Sequence, residues 1–318
     1  MILKIEPIFV KKPWGGNDIK KVFNKKENNA NHGKIGEVVL FSGDGDNINR
    51  IIGTNKYLDE FYKENREKLF NNYYKDKFPF SIKIINTGKN LPVVVNPKIS
   101  FFSMKKKTNE TNQIWYPLDL DEKEKFVIGI KNKSLLKNAL KFYDWKFVFE
   151  EESLEKNKAY NVNSGTIYNI KANSLIFSVE DNTGKPIIIF NEKEKDKEKL
   201  LNIDNTQIKK ILKSINEKNL IKSSEAIENI TNESIKIIEL AKNNNFTLEK
   251  WEIFKKVKIK LPKNKVNFLT INCLEGHGII GNSALLKNEN IIITSDELDR
   301  LIIDGKMTLL VAYPNNLK

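Results

Sequence analysis

The sequence predicts a mainly β fold of two strand-rich regions joined by a helical connector, and three observations carry that expectation. From Gly36 to Phe190 the chain is built of short apolar runs rich in β-branched and aromatic residues and punctuated by Gly, Asn, Asp and Pro. Ile35 to Phe41, Phe78 to Ile85, Leu91 to Val95, Phe126 to Ile130, Ala159 to Ile170 and Pro186 to Phe190 are such runs, and they read as strands because branched and aromatic side chains fit a pleated, half-buried surface. Glu192 to Leu200 is charged and has no apolar face, after which Asn205 to Asn244 opens with helical spacing at Ile208, Ile211, Leu212 and Ile215. A polar connector of this kind is a natural domain boundary. Strands then resume with Thr247 to Phe254, Val257 to Leu261, Asn267 to Leu274, Gly278 to Ile280, Asn290 to Thr294 and Thr308 to Ala312.

The expected division is 1–190, a connector 191–245, and 246–318. Strand text on both sides of the connector fits either two unrelated small barrels or one barrel architecture used twice. Two helices interrupt the first region: Lys56 to Phe70, with Leu58, Phe61, Tyr62, Leu69 and Phe70, and Lys133 to Phe142, with Leu135, Leu136, Ala139 and Leu140.

Composition narrows the function. With 318 residues, 40% hydrophobic and 10% aromatic, the chain buries too much surface to be disordered despite 30% charged residues. A single Cys273 makes no internal disulfide and no Cys-rich metal site, which suits a reducing compartment. No apolar stretch is long enough to span a membrane, and Met1 to Lys12 lacks the apolar core of a signal peptide, so a cytoplasmic protein is expected. Two histidines, His32 and His277, are too few for a His-rich metal centre. The net charge of +13 raises nucleic-acid binding, but only Arg50, Arg66 and Arg300 are arginines amid abundant Lys, Asn and Ile. That is the imprint of A/T-rich coding rather than of phosphate recognition, which favours the guanidinium fork. Neither a nucleic-acid nor a membrane partner is expected.

A series of motifs then recurs in order along the whole chain. Pro7-Ile8-Phe9 leads to Lys12-Pro13-Trp14-Gly15-Gly16; Gly36-Glu37-Val38 precedes Phe41-Ser42; Asp76-Lys77-Phe78-Pro79 precedes Lys83-Ile84-Ile85. Val93 to Pro97, Trp115-Tyr116 and Ser164-Gly165-Thr166-Ile167-Tyr168 follow, and after the connector come Leu274-Glu275-Gly276-His277-Gly278, read as a turn, and Thr308 to Val311. Together they resemble the type I mannose-6-phosphate isomerases of the short bacterial kind. The resemblance implies two cupin barrels, that is, double-stranded β-helices, joined by a helical segment. It also implies a divalent metal, usually zinc, held by a Gln, two His and a Glu, which polarises the sugar while a proton moves between C1 and C2.

At the positions matching those four ligands this chain has Val94, Asn96, Gln113 and Tyr168. Val94 cannot coordinate, the two amides offer weak carbonyl oxygens, and a neutral phenol is a poor zinc ligand. No cofactor is therefore expected, with zinc the cofactor if the family activity is retained. Among positions the resemblance assigns to substrate, Thr111 stands for a lysine and Lys185, in Thr183-Gly184-Lys185-Pro186, for an arginine, while Trp14, Glu37 and Lys83 match. Lys185 keeps a charge that can meet a phosphate.

Each has a plainer reading. Trp14 beside two glycines can simply anchor a turn. Glu37 and Lys83 each sit in an apolar strand and can form a structural pair as readily as an acid–base one. Ser164 reads as a turn residue, since no His lies near it to act as base. His32 and His277 read as exposed turn residues, and the lysines at 105–107 and through 192–199 as solvated faces. Three functions remain: a degenerate isomerase homologue that still binds a sugar phosphate or a partner; a working isomerase with a changed metal site or with Glu37 and Lys83 as catalytic acid–base groups; and a structural or interaction scaffold.

Overall fold

The computed structural model describes residues 1–23, 34–73, 75–97, 111–181, 186–191, 205–262 and 266–315. His32, Lys185 and the charged stretches 105–107 and 192–200 lie outside the described residues.

The apolar runs pair into antiparallel sheets. Among the described residues one sheet has seven strands, in the spatial order Lys222–Ser223, Tyr160–Val162, Gln113–Asp119, Ser174–Asp181, Phe80–Thr87, Ile35–Phe41 and Ile8–Lys11. Its central strands are nearly continuous in apolar residues because both faces are covered. A three-stranded sheet of Ile167–Tyr168, Val93–Val95 and Ile187–Phe190 and a two-stranded ribbon of Phe126–Ile130 and Phe149–Glu152 accompany it. The second large sheet runs Ile2–Ile5, Asn290–Ile293, Leu269–Ile280, Leu301–Pro314, Phe246–Ile253, Ile235–Lys242 and Ile227–Thr231, with Val257–Ile259 and Ser283–Leu286 paired off this path.

Two of the expected helices form at Leu58–Leu69 and Lys133–Phe142. The second is capped by Asn132, whose Oδ1 accepts from Leu135 N at 2.9 Å. No helix among the described residues is long and apolar enough to cross a membrane.

The strand pairing departs from the sequence-based boundaries in four places. Among the described residues, helix in the connector is confined to Asn205–Ser214; Ile227–Thr231 and Ile235–Lys242 are strands of the second sheet. Isoleucines spaced for a helix also suit a strand, and pairing with Phe246–Ile253 settles the choice. Ile2–Ile5 crosses to the second sheet and pairs with Asn290–Ile293, so a boundary at 190 does not separate the sheets. Ala159 to Ile170 is broken by the turn at Ser164-Gly165, where Gly165 adopts φ 85°. Leu274 to Gly278 is not a turn but the middle of a twelve-residue strand with a bulge between Cys273 and Glu275. Its glycines serve close approach: a Cβ on Gly276, which has φ 80°, would lie 2.0 Å from the Lys306 carbonyl oxygen.

The two large sheets share one core. Phe268, wholly buried, lies 5.2 Å from Phe70, 5.3 Å from Phe78 and 6.1 Å from Phe80 between ring centroids. Tyr62 of the Leu58–Leu69 helix closes on Phe70 at 4.8 Å and Phe78 at 5.6 Å, and Phe80 on Phe246 at 5.9 Å. Most of these contacts are edge-on or tilted, the geometries that aromatic quadrupoles favour. Phe268→Ala is expected to lower stability by about 3–5 kcal/mol, read as a fall in the urea midpoint at unchanged m; a change under 1 kcal/mol would show that the junction contributes little.

Candidate active site

Antiparallel register decides which side chains meet, because directly opposed residues share a face. Lys83 is opposite Ser178, which is opposite Trp115; Glu180 is opposite Gln113; Glu37 is opposite Ile85. One face of the seven-stranded sheet thus carries Glu37, Lys83, Ser178, Glu180, Gln113 and Trp115. Tyr168 and Val94, opposed in the three-stranded sheet, face it from another wall.

A directed hydrogen-bond chain links these walls. The indole of Trp115 can only donate, and its Nε1 gives to Gln113 Oε1 at 2.8 Å. That fixes the amide, so Gln113 Nε2 donates to Tyr168 Oη at 3.4 Å, and Tyr168 Oη donates to Asn96 Oδ1 at 3.3 Å. The Trp115 and Tyr168 rings meet edge-on at 5.0 Å. Asn96 Nδ2, buried, ends the chain without a partner. Burial, with Glu180 adding to it, pushes the Tyr168 hydroxyl far above the ordinary tyrosine value, and the phenol stays neutral.

Beside this chain sits a group of charges. Lys83 Nζ lies 3.1 Å from Glu180 Oε1, which also accepts from Ser178 Oγ at 3.1 Å. Burial opposes the lysine's charge, but Glu180 and then Glu37 more than offset it, so Lys83 is held above the ordinary lysine value. The anticipated Glu37 to Lys83 ion pair is not made. Register sets Glu37 diagonal to Lys83, and Lys12 meets Glu37 at 3.5 Å instead. Gly36 makes that contact possible, since a Cβ there would lie 2.6 Å from Lys12 Cβ and 2.9 Å from the Trp14 ring. Trp14, partly buried, packs on the cluster containing Trp115 and Tyr168, and its carbonyl accepts from Gly88 N at 2.8 Å. Thr111 is buried just before the Gln113 strand. Ser164 Oγ donates to the Pro97 carbonyl at 3.1 Å, as befits a turn residue, whereas His277 is exposed within a strand.

Glu180 is the residue that sequence reasoning missed. An acid near the end of the apolar strand Ser174–Asp181 carries a signal like the one that singled out Glu37, though Asp181 beside it blurs that signal, and only the register brings it to Lys83. Lys83, cationic at neutral pH, can stabilise negative charge on oxygen, and Glu37 and Glu180 are the carboxylates able to take a proton.

The matched positions do not suit a divalent cation. Val94 has no donor atom, Gln113 Oε1 and Asn96 Oδ1 already accept hydrogen bonds, and Tyr168 is a neutral phenol. What is left over is Asn96 Nδ2, an N–H group that a cation would repel. Among the described residues no three or more His, Cys, Asp or Glu side chains gather where they could hold a metal.

An antiparallel, mainly β architecture with a polar inner face belongs to the cupin class. No protein-family model matches the chain. It is 23% identical over 288 residues to the mannose-6-phosphate isomerase ManA of Bacillus subtilis, covering 87% of this chain and 86% of that one. It is 20% identical over 184 residues to the probable mannose-6-phosphate isomerase GmuF of the same organism, spanning 57% of this chain and only 58% of the relative's length. The crystal structure of a Bacillus subtilis mannose 6-phosphate isomerase superposes with a TM-score of 0.81 at 18% identity, over 98% of this chain and 99% of that one. A mannose 6-phosphate isomerase bound with zinc and yttrium superposes at 0.73 with 11% identity, over 99% and 100% of the two chains. The chain thus resembles mannose-6-phosphate isomerases in sequence over most of its length and in fold over nearly all of it.

Tyr168→Phe strands Gln113 Nε2 and Asn96 Oδ1, and a loss of about 1–3 kcal/mol is expected at neutral pH by urea denaturation. Because the folded chain raises the Tyr168 pKa, the hydroxyl's contribution is complete below the ordinary value of 10.0 and is lost as pH climbs beyond it. The gap between wild type and variant should therefore narrow above pH 10; a gap that widens there would contradict the assignment.

Proposed function

We propose that this chain is a mannose-6-phosphate isomerase relative that no longer performs zinc-dependent isomerisation and keeps the inner face of its first sheet for a sugar phosphate. The observation that carries this reading is the chain from Trp115 through Gln113 and Tyr168 to Asn96: the atoms that would face a metal are tied to one another. An internal parallel supports a structural role for Gln113. In the second sheet Glu249 accepts from Trp251 Nε1 at 2.6 Å and from Tyr313 Oη at 2.9 Å, the same clamp two residues ahead of a tryptophan.

The substrate side of the proposal rests on charge. Lys185 meets the phosphate, Trp14 lines the wall, and Lys83 and Glu37 lie deeper, with Thr111 in place of the family's lysine. A lysine in a partly dehydrated cleft draws a dianion more strongly than one on open surface. The protein acts in the cytoplasm, where such sugar phosphates occur.

The Lys83, Glu180 and Glu37 group favours a second reading, isomerisation without a metal. Glu37 or Glu180 would take the proton from C2 of the aldose and return it to C1, the O2 hydroxyl proton passing to O1, while Lys83 steadies the negative charge on the enediolate oxygen.

Metal analysis, an isomerase assay with added zinc or manganese, and thermal-shift titration with mannose 6-phosphate and fructose 6-phosphate test both. The proposal expects zinc well below stoichiometric, no turnover, and stabilisation at millimolar ligand that Lys185→Ala abolishes. Turnover lost in Lys83→Met would establish the second reading, and the absence of any stabilisation would remove the sugar phosphate.

A further inference from the structure

A cavity of about 390 Å³ lies where the first sheet, the connector and the second sheet converge, away from the inner face described above. Its lining is Asn112, Asn161, Asn163, Ser164, Asn219, Lys242, Asn243 and Asn244. Asparagine is plentiful in this chain, so any single one is uninformative; here six come together from separate segments of the fold.

The walls are held from behind. Asp181, whose side chain is 2% exposed, accepts from Asn112 N at 3.1 Å and from Asn245 Nδ2 at 2.6 Å, binding the first sheet to the hairpin that carries Lys242, Asn243 and Asn244. Asn219 Nδ2 donates to the Ser164 carbonyl at 2.9 Å, and Asn216 N to the Gly165 carbonyl at 3.0 Å, fixing the connector on the turn. Asn243 Oδ1 caps the hairpin by accepting from Asn245 N at 2.8 Å and Phe246 N at 3.0 Å.

Capacity for hydrogen bonding remains unused. Asn112, buried, accepts from Ser164 N through its Oδ1 at 3.1 Å, and its Nδ2 donates to none of the described residues. Asn161 Oδ1 and Asn243 Nδ2 are buried without partners, an unfavourable state that a bound oxygen or hydroxyl would relieve. Asn163 and Asn244 are exposed, with no side-chain hydrogen bond among the described residues.

Among the described residues the lining has no aromatic, aliphatic or acidic side chain and one cation. A nucleobase or lipid would find no apolar side chain among the described lining residues to pack on, and a metal ion no carboxylate. Carboxamides both donate and accept, as sugar hydroxyls do, and the volume is within the range of small-molecule sites. We infer that this cavity is a second binding site, for a small neutral polyol such as a hexose or hexitol.

The test is a titration of the full chain with mannose, mannitol and inorganic phosphate, followed by thermal shift and saturation-transfer NMR. Asn163→Leu and Asn244→Leu remove exposed amides that hold nothing in the fold, so these variants should fold normally. The inference expects saturable binding of mannose or mannitol, weakened at least about tenfold by the double variant and unchanged in Tyr168→Phe. It is overturned by absence of saturation up to roughly 100 mM, by binding lost in Tyr168→Phe but kept in the double variant, or by phosphate binding as well as the polyols and depending on Lys242. Failure of sugar-phosphate binding through Lys185 would leave it standing, since the two sites share no residue.

Discussion

The aromatic junction around Phe268 is the constraint on which the rest of the molecule depends. Phe80, one of its rings, opens the strand Phe80–Thr87 that carries Lys83. Side chains alternate along a strand, so a slip of one residue would turn Lys83 from the inner face to the opposite one and Ile84 inward in its place. The junction fixes that register because a buried phenylalanine has no equivalent position one residue along. The charges on the inner face are thus placed by hydrocarbon packing at the far end of the same strand, and the polar chemistry follows from an apolar fit.

The inner face is ordered by hydrogen bonds between neutral groups. Neutral amides and a phenol need partners when buried, and here they find them in each other. Such a network is directional: the indole can only donate, which sets the amide of Gln113 and through it the hydroxyl of Tyr168. The charged members are kept apart from it as Lys83 with Glu180 and Lys12 with Glu37. Each carboxylate has a cation within reach, which lowers the cost of holding ions in a partly desolvated space.

Much of the fold was legible in the sequence because alternation and turn residues are local signals. Ile35–Phe41, Phe126–Ile130 and Lys133–Phe142 stand where their patterns put them. What was not legible is non-local. Nothing in Ile2–Ile5 says that its partner is Asn290–Ile293, and nothing in Glu180 says that Ser178 stands opposite Lys83. The expected Glu37 to Lys83 pair failed for the same reason, since two charges in apolar strands look alike until register separates them. One signal was present and went unread. Thr111-Asn112-Gln113-Ile114-Trp115 and Thr247-Leu248-Glu249-Lys250-Trp251 share a pattern of Thr, an amide or acid, and Trp at alternate positions, and in both the indole bonds the residue two before it.

The pairing of Ile2–Ile5 with Asn290–Ile293 bears on how the chain is made. The strand Ile2–Ile5 is synthesised long before its partner Asn290–Ile293. One side of it can meet the Arg50 and Ile52 backbone early, but the edge that pairs with Asn290–Ile293 stays open until then, and contacts of such separation are the slowest to form. Closure of the second sheet is tied to the synthesis of Asn290–Ile293, and the open edge of Ile2–Ile5 is a place for a chaperone to shield in the meantime.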